Sequence, residues 1–165
     1  MAQFHSGLGE FDRGGRTAVA RADQVRHPVS HGVPTVDVLI DTSILVVEDD
    51  LAVQEFVAGV LRLEGAIVVA ASTGADALSL VNSAASPYHL VVLDLCLPDI
   101  TGWDVLDGIR LTYPSPAECP VVILTADVDD ESRRRAAGLS VGFLTKPIGA
   151  RELVAGLTPF LRQGS

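Results

Sequence analysis

Basic charge is scarce in this chain. Its 165 residues carry 12 Lys and Arg against 21 Asp and Glu, a formal net charge of −9. Five acids and four Arg precede Thr42, and 16 acids face eight bases after it, so the deficit sits in the second part. Nucleic-acid binding draws most of its affinity from Lys and Arg that neutralise phosphates. No such surface is evident, and nucleic acid is not an expected partner. A small acidic domain suits a cation or a basic protein patch instead. Cysteine is nearly absent too. Cys96 and Cys119 are the only two and show no CxxC spacing, which excludes a zinc ribbon or a disulfide framework. Two reduced, partly buried thiols are expected. Long apolar runs are missing as well. The longest covers residues 66–71, whereas a membrane span needs roughly 18 or more apolar residues. Residues 1–15 show no apolar block behind basic residues, as a secretory signal would. A soluble cytoplasmic protein without membrane insertion is the expectation.

What is present is enough for one domain with a real core. The chain is 48% hydrophobic and only 20% charged, which is unlike a disordered chain. Residues 1–35 are rich in Gly, Arg, Ser and His and keep no helical or strand period. His27 and His31 are spaced like neighbours on a helix, but Pro28 spoils that face, so they read as tail residues. A short apolar run at 36–40 could pack on the domain or be linker. Residues 1–42 are therefore expected to be a flexible extension, and 43–163 the folded domain.

From Ile44 onward the pattern alternates. Short runs rich in Val, Ile and Leu occupy 44–47, 66–71, 90–93, 121–124 and 141–144. None alternates with polar residues, so each reads as a strand buried on both faces of a parallel sheet. Amphipathic stretches lie between them. Val53, Phe56, Val57, Val60 and Leu61 form one stripe. Ala75, Leu78 and Val81 form another, opened by Thr73 with Asp76 three later. Val105, Leu106 and Ile109 follow Thr101 and Asp104 in the same arrangement. A fourth helix should run from about 129 to 137 and stop at Gly138. Leu153, Val154, Leu157, Phe160 and Leu161 give a fifth, in which Pro159 should produce a kink or an end. Five strands alternating with five helices make a doubly wound α/β fold with helices on both faces.

In such sheets ligands bind beyond the carboxyl ends of the strands. Those ends offer Glu48, Asp49 and Asp50, then Asp94, Thr125 and Lys146. Asp50 reads as a plain cap for the helix that begins at Leu51. Clustered carboxylates repel one another unless a cation neutralises them, and Mg²⁺ favours oxygen ligands and takes phosphate oxygens besides. One carboxylate can then attack phosphorus and form an aspartyl phosphate. Transfer needs positive charge around the phosphoryl oxygens, which Mg²⁺ and a lysine supply. Lys146 is the only lysine in the chain, and its compact ammonium is a different tool from the guanidinium of the eleven Arg.

The blocks ILVVEDD (44–50), LVVLDLCLPDITGWDVL (90–106), VVILTAD (121–127) and FLTKP (143–147) resemble the response-regulator receiver family of two-component systems, including its single-domain, chemotaxis-type members. The resemblance covers residues 44 to about 161. It implies a five-stranded parallel sheet of order 2-1-3-4-5, flavodoxin-like, with five helices. It also implies Asp94 as phosphoacceptor, Asp49 as a direct Mg²⁺ ligand, Glu48 acting through water, and Cys96 giving its backbone carbonyl to the metal. Thr125 and Lys146 would contact the phosphoryl group, Phe143 would be the switch aromatic beside Thr125, and Lys146–Pro147 would be a cis bond. The implied partners are a histidine kinase or histidine phosphotransfer protein as donor and a target protein as reader. A stand-alone regulator is expected, working by protein contact or onward phosphorelay and catalysing only its own phosphorylation and dephosphorylation.

Arg133, Arg134 and Arg135 read as a solvated helix face, with partner docking as the alternative. His89, just before a strand, reads as structural. Cys96 is unusual beside the implied phosphoacceptor and, together with Asp127, would tune the lifetime of the acyl phosphate. Two rivals compete with the phosphoacceptor reading. A metal-dependent aspartyl phosphatase would need a second acid at position 96, which is Cys. A phosphorylation-independent, receiver-like interaction module would not need the complete set of Glu48, Asp49, Asp94, Thr125 and Lys146.

Overall fold

The computed structural model describes residues 39–126 and 129–161. The expected flexible extension, apart from residues 39–42, lies outside them, as do His27, His31 and Asp127.

Among the described residues ten elements alternate: β1 (Ser43–Val47), α1 (Leu51–Leu63), β2 (Ile67–Ala71), α2 (Gly74–Ser83), β3 (Leu90–Leu93), α3 (Gly102–Thr112), β4 (Val121–Thr125), α4 (Asp130–Gly138), β5 (Gly142–Thr145) and α5 (Ala150–Leu161). All neighbouring strands pair in parallel, in the order β2-β1-β3-β4-β5. The period of two along each strand divides the core. Leu45, Val47, Val91, Leu93, Val121 and Ile123 face Ala77, Val81, Val105, Leu106, Ile109 and Ala136 of α2, α3 and α4. Ile44, Val46, Leu90, Val92, Val122 and Leu124 face Val57, Leu61, Leu153 and Leu157 of α1 and α5. Each fully buried Leu or Ile contributes roughly 1.5–3 kcal/mol, which is why strands this short hold together.

Burial on both faces holds for β1, β3 and β4 but not for the outer strands. β2 reads exposed at Ile67 and Ala70 and half-buried between them, and only Gly142 is buried in β5. The strand order puts these two at the sheet edges, where one flank has no neighbouring strand among the described residues.

The helix ends follow local chemistry. Asp50 caps α1 by accepting from the N–H groups of Ala52 (2.9 Å) and Val53 (3.2 Å), as its sequence reading required. Thr101 and Asp104 close a full capping box on α3. α1 ends in a paired carbonyl lock with Gly65 at φ 93°, where Ala66 N–H reaches Leu61 O and Gly65 N–H reaches Arg62 O. The same lock ends α4, but Gly138 does not take the left-handed position expected of it. Gly138 is the last helical residue, and Ser140 (φ 55°) makes the turn, with Val141 N–H on Ala136 O and Ser140 N–H on Ala137 O. Pro159 does not end α5, which continues to Leu161. Pro159 and Ala155 are both exposed, so water can serve the Ala155 carbonyl that loses its intrahelical donor. Within the 36–40 run, Leu39 is 2% exposed and packs with the α1/α5 side of the core, while Ile40 is 52% exposed. No helix among the described residues is long and apolar enough to cross a membrane.

Candidate functional site

The strand order produces a crevice where the chain reverses direction across the sheet, between β1 and β3. Val47 pairs with Leu93, so Glu48 and Asp49 emerge beside Asp94. One carboxylate oxygen from each of the three lies within 4.8 Å of the others. Glu48 and Asp94 are buried and Asp49 is exposed. Lys146 reaches the same point from the end of β5. Its Nζ lies 2.5 Å from Glu48 Oε2 and 2.6 Å from Asp94 Oδ2. Backbone donors hold the other oxygens: Asp50 N–H reaches Glu48 Oε1 and Cys96 N–H reaches Asp94 Oδ1, each at 3.2 Å.

Thr125 closes β4 with its side chain fully buried. Its carbonyl accepts the Lys146 N–H at 2.9 Å, which ties the threonine and the lysine to one rim. The Lys146–Pro147 bond is cis, as the resemblance implied. Phe143 is half-buried on β5, paired in register with Ile123. The sheet thus brings Lys146 into contact with Glu48 and Asp94, gathers Asp49 beside them, and sets Thr125 next to Lys146 in the backbone ladder. Cys96 touches the cluster through its backbone N–H, while its side chain is exposed.

Three carboxylates face one ammonium here, so a fully ionised cluster keeps an excess of negative charge. Burial pushes the Glu48 carboxyl above its ordinary value, against the hydrogen bond and charge of Lys146, which pull it down. Burial alone would lower the Lys146 ammonium. Its hydrogen bonds to Asp94 and Glu48 and their charges outweigh that and hold it above its ordinary value. The side-chain donors are all hard oxygens, two sheltered and one open to water. They fit a small divalent cation that keeps some of its own waters, which is the preference of Mg²⁺.

The surroundings refine one reading, correct another and add three residues. Arg133, Arg134 and Arg135 are all exposed, as a solvated face requires, and two of them also reach neighbouring elements. The Arg133 guanidinium lies 5.0 Å from the Phe143 ring centre and donates to Thr145 Oγ1 at 3.1 Å. Arg135 stacks on Trp103 at 4.3 Å and pairs with Asp107 at 3.6 Å. Only Arg134 turns back on its own helix, to the Asp130 carbonyl. The thiols are not alike. Cys96 is exposed, whereas Cys119 is buried, and burial pushes its thiol up to about 11. His89 is structural as expected, its Nδ1 accepting the Ser43 N–H at 3.0 Å.

Sequence reasoning missed Gln54, Asp99 and Gly102. Gln54 Nε2 donates to the carbonyls of Glu48 (2.8 Å) and Ala71 (3.1 Å), tying together the ends of β1 and β2. A Cβ at Gly102 would run into the Asp94 carbonyl and come within 2.7 Å of Leu95 Cα. Asp99 accepts from two N–H groups of α2. A glutamine one turn into a capped helix and a glycine opening another were visible signals. Nothing local to Asp99 pointed across to α2.

Comparison with known proteins gives a consistent picture. The family model for the response regulator receiver domain matches residues 44–158. The probable transcriptional regulatory protein SilR of Salmonella typhimurium is 37% identical over 125 residues, covering 74% of this chain and 52% of SilR. The alkaline phosphatase synthesis transcriptional regulatory protein SphR of Synechococcus elongatus is 39% identical over 130 residues, covering 73% of this chain and 49% of SphR. The chain thus spans about half the length of these curated relatives. Among solved structures, the non-phosphorylated HemR receiver domain from Leptospira biflexa superposes with a TM-score of 0.66 at 31% identity, covering 73% of this chain and 94% of HemR's.

Proposed function

The chain belongs to the response regulator receiver family, and on that premise we propose that it takes a phosphoryl group onto Asp94 from a histidine kinase or histidine phosphotransfer protein in a Mg²⁺-dependent reaction. The observation that carries this reading is the meeting of Glu48, Asp49 and Asp94 with Lys146 at one strand-end crevice. In the reaction an Asp94 carboxylate oxygen forms a bond to phosphorus as the bond from phosphorus to the donor's histidine nitrogen breaks, and that nitrogen keeps the electron pair. Glu48, Asp49, Asp94 and the Cys96 carbonyl would hold the cation, which supplies positive charge against the phosphoryl oxygens. Lys146 offers a second positive charge, already 2.6 Å from Asp94, and the Thr125 hydroxyl would donate a hydrogen bond to a phosphoryl oxygen. Hydrolysis of the mixed anhydride by water resets the domain, so the protein catalyses only its own phosphorylation and dephosphorylation.

We infer that output runs from Thr125 to Phe143. A phosphoryl oxygen that draws Thr125 inward leaves room for Phe143 to turn, which reshapes the surface of α4, β5 and α5 for a target protein. The matched relatives are named transcriptional regulators and are longer than the shared segment. For this chain the proposed route is cytoplasmic protein contact or phosphorelay by a stand-alone regulator, and its acidic balance argues against nucleic acid as the direct ligand. A mobility-shift titration against duplex DNA should show no complex at physiological salt.

The deciding experiment is incubation with acetyl phosphate and Mg²⁺ followed by intact mass. Wild type should gain one phosphoryl group, lost in hydroxylamine, and Asp94→Ala should gain none. A wild type that binds Mg²⁺ but takes no phosphoryl group would leave the phosphorylation-independent interaction module standing.

A further inference from the structure

We propose that Asp99 is a positioning residue for the Asp94 site: it bolts the β3–α3 loop to the amino end of α2 and thereby holds the Cys96 backbone where Asp94 and the cation need it. The proposal rests on the reading of Asp94 as phosphoacceptor and of the Cys96 carbonyl as a metal ligand.

The loop leaves β3 at Asp94 and enters α3 at Gly102. On its inner side Cys96 N–H donates to Asp94 Oδ1, so the direction of the acceptor carboxylate depends on where this backbone lies. The loop is fixed at two places. Toward α3, Gly102 N–H donates to Leu95 O at 2.9 Å. Toward α2, Asp99 uses both carboxylate oxygens, Oδ1 on Gly74 N–H and Oδ2 on Ala75 N–H, each at 2.8 Å. Ile100 packs over Gly74 so closely that no Cβ would fit there.

These two donors belong to the first turn of α2, whose N–H groups have no partner within the helix. Thr73 Oγ1 accepts the next one, from Asp76, at 3.1 Å. The helix start is thus satisfied by one residue of its own cap and one from a loop 25 positions downstream. A capping carboxylate also gains from the positive end of the helix dipole, and both N–H bonds hold the Asp99 carboxyl below its ordinary value. Between the two anchors only Cys96, Leu97 and Pro98 are left to move. The loop that carries the metal-facing carbonyl is therefore immobilised by α2, an element with no residue in the cluster itself.

Partners that orient a metal-facing group without touching the metal typically change metal affinity about 10- to 100-fold when removed. The test compares Asp99→Ala and Asp99→Asn with Thr73→Ala, which weakens the same helix start without touching the loop. Mg²⁺ affinity is measured by calorimetry and exchange of the Cys96 amide by NMR, both on the full chain at a denaturant-free pH where each variant is folded. Asp99→Ala should weaken Mg²⁺ binding about tenfold or more and speed Cys96 exchange, Asp99→Asn should recover part of both, and Thr73→Ala should change neither. Unchanged Mg²⁺ affinity and Cys96 exchange in Asp99→Ala would overturn the proposal, as would equal changes in Thr73→Ala. If wild type binds no Mg²⁺, the metal reading of the site fails, while the exchange comparison still decides whether Asp99 holds the Cys96 backbone.

Discussion

Replacing Lys146 by Met removes the one ammonium from a crevice that holds two buried carboxylates. The Lys146 side chain is 15% exposed, that of Glu48 4% and that of Asp94 7%, and the ammonium touches both acids. Breaking a buried ion pair from one side costs about 3–5 kcal/mol, because the remaining charge stays out of water without compensation. With a urea dependence of about 2 kcal/mol per molar, the midpoint of Lys146→Met should fall by about 2 M in EDTA near neutral pH. The pH dependence has a definite sign. Burial already raises the folded Glu48 carboxyl above its ordinary 4.5, and loss of Lys146 removes the hydrogen bond and charge that oppose this shift. A carboxyl raised in the folded state stabilises the fold fully below its unfolded value and loses that contribution as pH climbs through the folded one. The deficit of Lys146→Met should therefore be smaller near pH 5.5 than near pH 7.5. Adding Glu48→Gln removes the stranded charge while keeping its shape, and should restore most of the midpoint. A single variant within about 1 kcal/mol of wild type, or a double variant no more stable than the single one, would refute the reasoning.

Further outcomes follow from particular contacts. Leu157→Ala empties a fully buried position between α5 and the sheet and should cost about 2–5 kcal/mol in urea unfolding with the slope unchanged. Gly102→Ala drives a methyl group into the Asp94 backbone; expect about 1–3 kcal/mol of destabilisation and a sharp loss of acetyl phosphate reactivity in a protein that still folds. Iodoacetamide should label only Cys96 in the native chain, since Cys119 is buried and its thiol is pushed up to about 11; mass after denaturation should show the second label, and native labelling of both would contradict the packing. Arg133→Ala removes the guanidinium from the Phe143 ring at a cost of about 0.5–1 kcal/mol, and should broaden the Phe143 ring signals in NMR as its rotamers become freer.

Much of this was legible because the sheet is parallel. Three of its strands are sealed on both faces, and runs such as residues 90–93 and 121–124 have no polar interruption. Caps were equally plain: Asp50, Thr73 and Thr101 act within three residues of themselves, and short-range hydrogen bonds need no knowledge of the fold. Where the reading failed, the deciding term was not local. Gly138 looked like the turn residue, but the path back to Val141 places the left-handed position at Ser140. Of the kink or end expected at Pro159, the end does not occur, because Pro159 lies on the exposed side of a helix held by Leu153 and Leu157.

The residue types at the strand ends determined the chemistry. Acids after the first and third strands and a lone lysine after the fifth, on a fold that gathers its strand ends on one edge, can meet in one place only. Tertiary structure alone decided how that place is held. Gln54 spans two strand ends, Arg133 and Arg135 lie over the rings of Phe143 and Trp103, and Asp99 caps a helix formed 25 positions earlier. Each of these contacts joins segments distant in the chain. Their energy depends on a distance that only packing sets, so no pattern within one segment could announce them.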